Sequence, residues 1–270
     1  MIFHDWSLLP KPAQYDPVLN NNTWEQIAEA SSKGVASQIW KVGDCKEIVL
    51  NGTMSNLTVN NYHTYAFIIG FDHNAGFEGE HRIHFQLAKT ALSGGKDICL
   101  VSGRNDDSDF YMNTSNTNAG GWEDSYMRNN ILGTSKTSYS GKFIDVLPSA
   151  LRNVLKSVTK YTDNTGNRST SSGAVTATTD YAFLLSEYEV FGSCTFANSN
   201  EASRQQQYAY YAAGNSTIKY NHSSTGSAIS WWLRSPQRSN STFFVRVGGS
   251  GGVGNYDANY SFGVAPGFCV

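Results

Sequence analysis

Between residues 39 and 88 the chain is a succession of β-rich runs punctuated by turn signals. The runs Ile39 to Val42, Lys46 to Leu50, Asn56 to Asn60, Tyr65 to Phe71 and His81 to Ala88 are separated by such pairs as Gly43-Asp44, Asn51-Gly52 and Asn60-Asn61, which favour tight reversals of the backbone. A meander follows from this spacing. Helical patterns fall in separate batches. Thr23 and Gln26 make a capping-box pair ahead of the apolar face of Trp24, Ile27 and Ala28. Trp122 to Leu132 and Pro148 to Thr159 carry apolar residues at helical spacing, Ser186 with Glu189 caps a short helix ending at Gly192, and Glu201 to Ala213 makes a further helix. Tyr181 to Leu185 reads as a strand, and 215–270 as short strands joined by Gly and Asn turns. Because strands and helices do not alternate as βαβ units, the predicted class is α+β, a mainly antiparallel sheet with several helices.

A length of 270 residues with 40% hydrophobic composition supports one compact domain with a short appendage. Residues 1–22, with Pro10, Pro12 and Pro17 and the run Asn20-Asn21-Asn22, read as an N-terminal arm or linker; 23–270 form the domain. If the arm attaches the domain to a neighbour, Trp6, Leu8 and Leu9 are the side chains to bury there. No apolar run approaches the ~20 residues of a membrane-spanning helix, so membrane insertion is not expected. The start MIFHDWSLLPKP lacks the basic leader and apolar stretch of a classical signal peptide. Net charge is −2 and only 16% of residues are charged, which excludes the basic footprint of a nucleic-acid binder. Cys45, Cys99, Cys194 and Cys269 lie far apart without a CxxC pair; this argues against zinc and predicts buried thiols outside any disulfide.

The densest group of chemically versatile side chains is Asp72, His73, Glu78, Glu80, His81 and His84. Such a set could ligate a metal or move protons, but His81 and His84 are three apart in a strand-like segment, which puts their rings on opposite faces. A polar turn followed by a surface strand is the expected outcome. The run Gly248 to Gly254 lacks the Lys-Ser/Thr ending of a phosphate loop and reads as a hairpin tip. No cofactor is expected, with calcium at Asp106-Asp107-Ser108-Asp109 the one cation considered.

The C-terminal stretch is the most specific. Ser230-Trp231-Trp232-Leu233-Arg234-Ser235-Pro236 is followed some thirty residues later by Gly263-Val264-Ala265-Pro266-Gly267-Phe268-Cys269-Val270. Trp231 and Trp232 offer large apolar area with an indole N–H to satisfy, and Arg234 offers a fork for a carboxylate or for backbone carbonyls beneath the sheet. Trp231, Trp232, Arg234 and Pro266 are therefore expected to be structural, with Trp232 and Leu233 in the core. This ending resembles an uncharacterised domain family of tailed phages and gut-associated bacteria whose members close on WWLRSP and a GVRP-type strand, with Ala265 standing here where that family often has Arg. Ala66 to His73, Met112 to Gly121, Trp122 to Arg128, Leu147 to Tyr161 and Leu184 to Gly192 carry the same resemblance.

More distantly, the ending is similar to that of C-type-lectin-like domains of the formylglycine-generating-enzyme type and of the variable proteins of diversity-generating retroelements. That resemblance implies a C-type-lectin-like fold in which two structural strands bracket a variable binding surface, here 237–261. Apart from Gln237, every residue of that stretch can be encoded by altering the adenines of an AAY codon. The implied function is a non-enzymatic ligand- or receptor-binding protein of a phage tail or other exposed surface apparatus. It would recognise a host-surface glycan or protein through Arg238, Asn240, Thr242, Phe244, Arg246, Asn255, Tyr256, Asp257, Asn259 and Tyr260, with Phe244 and Arg246 expected to face solvent. Other virion proteins would be met through the N-terminal arm, nucleic acid is not a partner, and a homo-oligomer is compatible with the reading. The alternatives are a structural decoration protein of a virion or surface, and a glycan or cell-wall hydrolase using Asp72, His81 or Glu187.

Overall fold

The computed structural model describes residues 15–89, 97–101, 109–221 and 226–270. Trp6, Leu8, Leu9 and the acidic residues Asp106 and Asp107 lie outside them. Residues 15–22, part of the expected arm, pack on the domain: Leu19 is buried, the Trp40 indole donates to the carbonyl of Asp16, and Lys46 reaches the carbonyl of Asn22.

Helix α1 (Trp24–Ser32) opens with the predicted capping box, Thr23 Oγ1 accepting from Gln26 N and the Gln26 side chain from Thr23 N. The strand expected at Ile39 to Val42 does not form: Ile39 ends the short helix α2 (Ala36–Ile39), and residues 40–42 lead irregularly into a turn. Ala36 and Trp40 bury their side chains there, and packing overrides the β propensity of the segment. The meander then follows as β1 (Cys45–Met54), β2 (Leu57–Phe71) and β3 (Ile83–Lys89). The Asn60-Asn61 signal marks a bulge, so β2 runs through it for 15 residues. Asn61 takes a left-handed φ of 50°, its N–H donates to Asn51 Oδ1, and the pairing with β1 shifts between Leu50 and Gly52. Between β2 and β3 lies the single turn α3 (Ala75–Glu78).

Trp122 to Leu132 does coil, in π-type turns over Met127–Leu132 that Gly133 ends at φ 89°. After α4 (Phe143–Val146), the expected helix at Pro148 to Thr159 is only α5 (Ser149–Val154). Its second half becomes β4 (Val158–Asp163), because the β-branched Val158, Thr159 and Thr162 find a partner in β5 (Val175–Asp180). Strand β6 (Ala182–Phe183) leads to α6 (Glu187–Phe191), whose Ser186/Glu189 capping box and left-handed Gly192 stop match the sequence pattern. The helix expected over Glu201 to Ala213 splits into a 3-10 turn, Ser199–Ser203, and α7 (Ala209–Ala212). Gln205 between them donates to the Tyr161 carbonyl and to Glu201, so side-chain bonds displace the helical ladder.

Strands β7 (Lys219–Tyr220) and β8 (Ala228–Ile229) pair with each other, and β9 (Trp231–Pro236), β10 (Phe243–Val247) and β11 (Val253–Asp257) form an antiparallel sheet in the order β11-β10-β9. The last strand, β12 (Gly267–Cys269), enters the main antiparallel sheet between β3 and β6, giving the order β1-β2-β3-β12-β6. Phe268 lies opposite Phe85 and Cys269 opposite His84, while Val270 and Ile83 exchange backbone hydrogen bonds of 2.9 and 3.1 Å. Trp24 meets Phe85 and Phe268 edge-on, at 5.6 and 6.1 Å between centroids, which roofs this strand with α1. The architecture is thus α+β with antiparallel sheets and short helices. All four cysteines are thiols; Cys99 and Cys269 are buried as expected, whereas Cys45 and Cys194 are only half-buried.

Candidate functional site

Two groups of side chains carry charge in settings where charge is costly. The first lies beneath the sheet. Trp231, Trp232, Leu233 and Arg234 are all fully buried, as the motif predicts. The Trp231 indole donates to the Thr217 carbonyl at 3.0 Å, the Trp232 indole to the Phe110 carbonyl at 3.3 Å, and the carbonyl of buried Pro266 receives Leu87 N. Arg234 forks onto Glu189, Nη1 to Oε2 and Nη2 to Oε1, and adds the Leu184 carbonyl and Thr162 Oγ1. Lys160, from β4, donates to Glu78 Oε2 at 2.6 Å, Glu189 Oε1 at 3.0 Å and Tyr208 Oη at 2.7 Å. Two cations thus face two carboxylates, and the network is neutral when both carboxylates are ionised.

Around this network the fold gathers three of the six residues flagged at 72–84. His73, Glu78 and Glu189 offer ligand atoms within 4.8 Å of one another, a spacing that would suit a metal ion. The Lys160 ammonium already sits on both carboxylates, doing electrostatically what a cation would do. His73 stacks on Tyr208 at 3.7 Å, and burial with the charge of Lys160 holds its imidazole down to about 3, so it is neutral. His84 contacts Tyr208 Oη at 3.1 Å and Cys269 Sγ at 3.3 Å, and burial lowers its pKa as well. Burial raises the Glu78 carboxyl to about 7 against the opposing pull of Lys160, while Arg234 and Lys160 overcome burial and depress that of Glu189. The expected polar turn and surface strand is corrected here. His73, Glu78 and His84 are buried, because α3 packs against β4, whose Lys160 meets the Glu78 carboxylate and lets it enter the core.

Of the three residues named for a hydrolase, Asp72 and His81 come together and Glu187 lies in another part of the fold. Asp72 accepts from Arg82 N and shares with His81 a cleft of about 10 Å³, room for a single water. Glu187 is buried and accepts the backbone N–H groups of Thr195, Phe196 and Ala197. It closes a loop.

The second group is on the surface of β10 and β11. Arg246 is half-buried, its Nη1 donating to Ser230 Oγ at 2.6 Å and its guanidinium lying over the rings of Phe262 (5.1 Å) and Tyr256 (5.8 Å). Tyr256 is exposed, with Tyr260 and Phe262 packed edge-on against it at 4.7 and 5.3 Å. Gly254 stands opposite Arg246 in the pairing, and a Cβ there would lie 3.6 Å from Arg246 Cζ, so the bare backbone gives the guanidinium a flat bed. Asn255 is half-buried and Asn259 exposed on the same loop region, and Asp257 accepts from Asn116 at 2.6 Å.

The remaining predicted contacts have other work. Asn240 Oδ1 accepts from the N–H and hydroxyl of Thr242, which locks a turn. Arg238 is half-buried, its N–H donating to the Phe196 carbonyl. Phe244 is fully buried, correcting the expectation that it faces solvent. Phe244 and Arg246 share one face of β10, since the pairing with β11 is regular, but Phe244 lies opposite Pro236 and Arg246 opposite Trp232 across a two-residue irregularity of β9, and only the Phe244 end of that face is covered. Sequence reading missed Asn118, whose buried amide donates to the carbonyls of Gln237, Asn240 and Phe243 and so pins the loop to the scaffold. It also missed Phe262 and Ser230, for which no local signal existed. The Gly248 to Gly254 run is the β10–β11 hairpin turn, closed by Gly248 N to Gly252 O at 2.7 Å.

No curated protein and no solved structure matches the chain. A family model does match, over residues 97–270, a span that contains Lys160, Glu189, Tyr208, Arg234 and the whole Arg246 surface while β1 to β3 precede it. The chain belongs to the family described as Domain of unknown function (DUF6273).

Proposed function

We propose that this domain is a non-enzymatic recognition module, C-type-lectin-like in fold, which serves a phage tail or comparable surface apparatus by binding a host-surface glycan or protein through the 237–261 face. The observation that carries the reading is the Arg246–Tyr256–Phe262 assembly: a cation and an exposed aromatic ring held in fixed geometry on an edge hairpin, with the scaffold beneath fully packed. Exposed aromatic and arginine side chains on a rigid frame are what binding surfaces use as anchors. A last strand inserted between β3 and β6 of the main sheet, with the WWLRSP strand buried in the separate three-stranded sheet, supports the closing-strand arrangement that the C-type-lectin-like resemblance implies. The non-enzymatic part is supported by the buried titratable groups, whose charges are satisfied by one another.

The test replaces Arg246, Asn255, Tyr256 and Asn259 together by Ser. The melting temperature should stay nearly unchanged while attachment to host cells is lost. A variant that folds and still attaches with parental affinity would place recognition elsewhere and leave a decoration role for this face.

A further inference from the structure

Among the described residues Arg246 is a cation without a carboxylate partner, its Nη2 donates to no group, and its Nε is shielded from solvent without an acceptor. Its partners are a hydroxyl and two aromatic faces. The nearest acid along the hairpin, Asp257, pairs opposite Phe243, three register positions from the Arg246–Gly254 pair, and its carboxylate is held by Asn116. That offset is roughly 10 Å along the strand. Arg234 on the neighbouring strand shows what the fold does when it means to neutralise a guanidinium: a two-point fork on Glu189.

Desolvating a guanidinium without an anionic partner costs free energy, and among the described residues Arg246 has one hydroxyl and two aromatic faces to set against that cost. We infer that the recognition face takes a carboxylated saccharide, the carboxylate meeting the Arg246 guanidinium and a sugar ring lying on Tyr256. Arginine is the side chain suited to a planar carboxylate. The saccharide follows from the surroundings. Tyr256 presents an exposed ring, braced by Tyr260 and Phe262, and its neighbours Asn255 and Asn259 are amides able to meet hydroxyl groups.

This inference rests on the recognition reading above, and the experiment separates the two. Binding of the full chain is measured to sialyllactose and oligogalacturonate, to the neutral lactose and galacto-oligosaccharide, to the methyl esters of the acidic pair, and to host cells. Expected are binding of the acidic sugars that weakens with salt, and a loss of at least roughly tenfold on esterification. Arg246→Gln should lose as much, with Arg246→Lys recovering part of it and both variants keeping the parental melting temperature. Because esterification alters only the ligand, the result stands even if a variant misfolds. Equal binding of acidic and neutral sugars, or binding of neutral sugars alone, would overturn the inference and leave the recognition reading intact. Attachment to cells that survives removal of surface glycans but not protease treatment would also overturn it, in favour of a protein ligand. Loss of both readings would follow if nothing on the cell or among the sugars were bound.

Discussion

Arg234 and Arg246 stand on adjacent strands of one small sheet, β9 and β10, yet the chain treats them in opposite ways. Arg234 is fully buried, forks onto Glu189 and shares that carboxylate with Lys160. Arg246 is half-buried, bonded to one hydroxyl and laid across two rings. A buried ion pair is weak evidence for net stability, but breaking one is costly, because the remaining charge is stranded. An arginine without an acid can be removed with little loss to the fold. The difference separates a charge that the domain neutralises inside its own core from one that, on the recognition reading proposed above, another molecule would meet.

The sharpest way to break this comparison is to truncate the scaffold. Trp232→Ala should destabilise by about 3–5 kcal/mol, read by denaturant unfolding, because the indole fills the core and its N–H reaches Phe110. Tyr256→Ala on the surface should fall within about 0.5 kcal/mol. If the two variants melt together, Trp232 is not core and the division fails.

Arg234→Met should cost a comparable 3–5 kcal/mol by stranding Glu189, and Lys160→Met somewhat less, since Arg234 still answers the same carboxylate. The double variant Arg234→Met with Glu189→Leu should recover much of the loss. Failure to recover would mean that the network is needed for more than charge balance.

A smaller effect comes from pH. Burial raises the carboxyl of Glu201 to about 7, and that of Glu78 moves the same way. A carboxyl raised on folding binds protons more tightly in the native state, so its contribution is complete below the ordinary value near 4.5 and is lost as pH climbs through 7. Stability should therefore decline between about pH 5 and 8, by up to roughly 1 kcal/mol per unit for each group. Glu201→Gln should flatten part of that decline, whereas Arg246→Gln should leave it untouched. A profile rising with pH over this window would refute the assignment. The smallest effect is that of Arg246→Ala itself, expected within about 0.5 kcal/mol of the parent in unfolding.

Local chemistry was legible where a few neighbouring residues suffice. Both capping boxes, the stop at Gly192, the antiparallel meander and the burial of the WWLRSP strand were readable because each depends on spacing or bulk. Asn60-Asn61 has the local signature of a turn, yet β2 runs through it, because a left-handed asparagine serves a bulge equally well. The helices at 148–159 and 201–213 failed for another reason: Val158 had a partner strand, and Gln205 and Tyr208 had buried partners, far away in sequence. The surface was half legible. Arg246 and Tyr256 are legible from their chemistry, but Phe244 shares the face of Arg246 and is buried all the same, because alternation fixes the face of a side chain and not what the rest of the fold lays over it.

What the sequence determined by itself is the class of the fold, its local stops and starts, and the residue types from which a binding face could be made, since these depend on periodicity and side-chain volume. Only the tertiary structure decided which charges are spent. His73, Glu78, Lys160, Glu189, Tyr208 and Arg234 are separated by up to 161 positions, between His73 and Arg234, and meet in one buried network. Arg246, a candidate contact already in the sequence, is left without an acid among the described residues. Whether a charge is neutralised depends on what the folded chain brings within a few ångströms of it, and no local pattern records that distance.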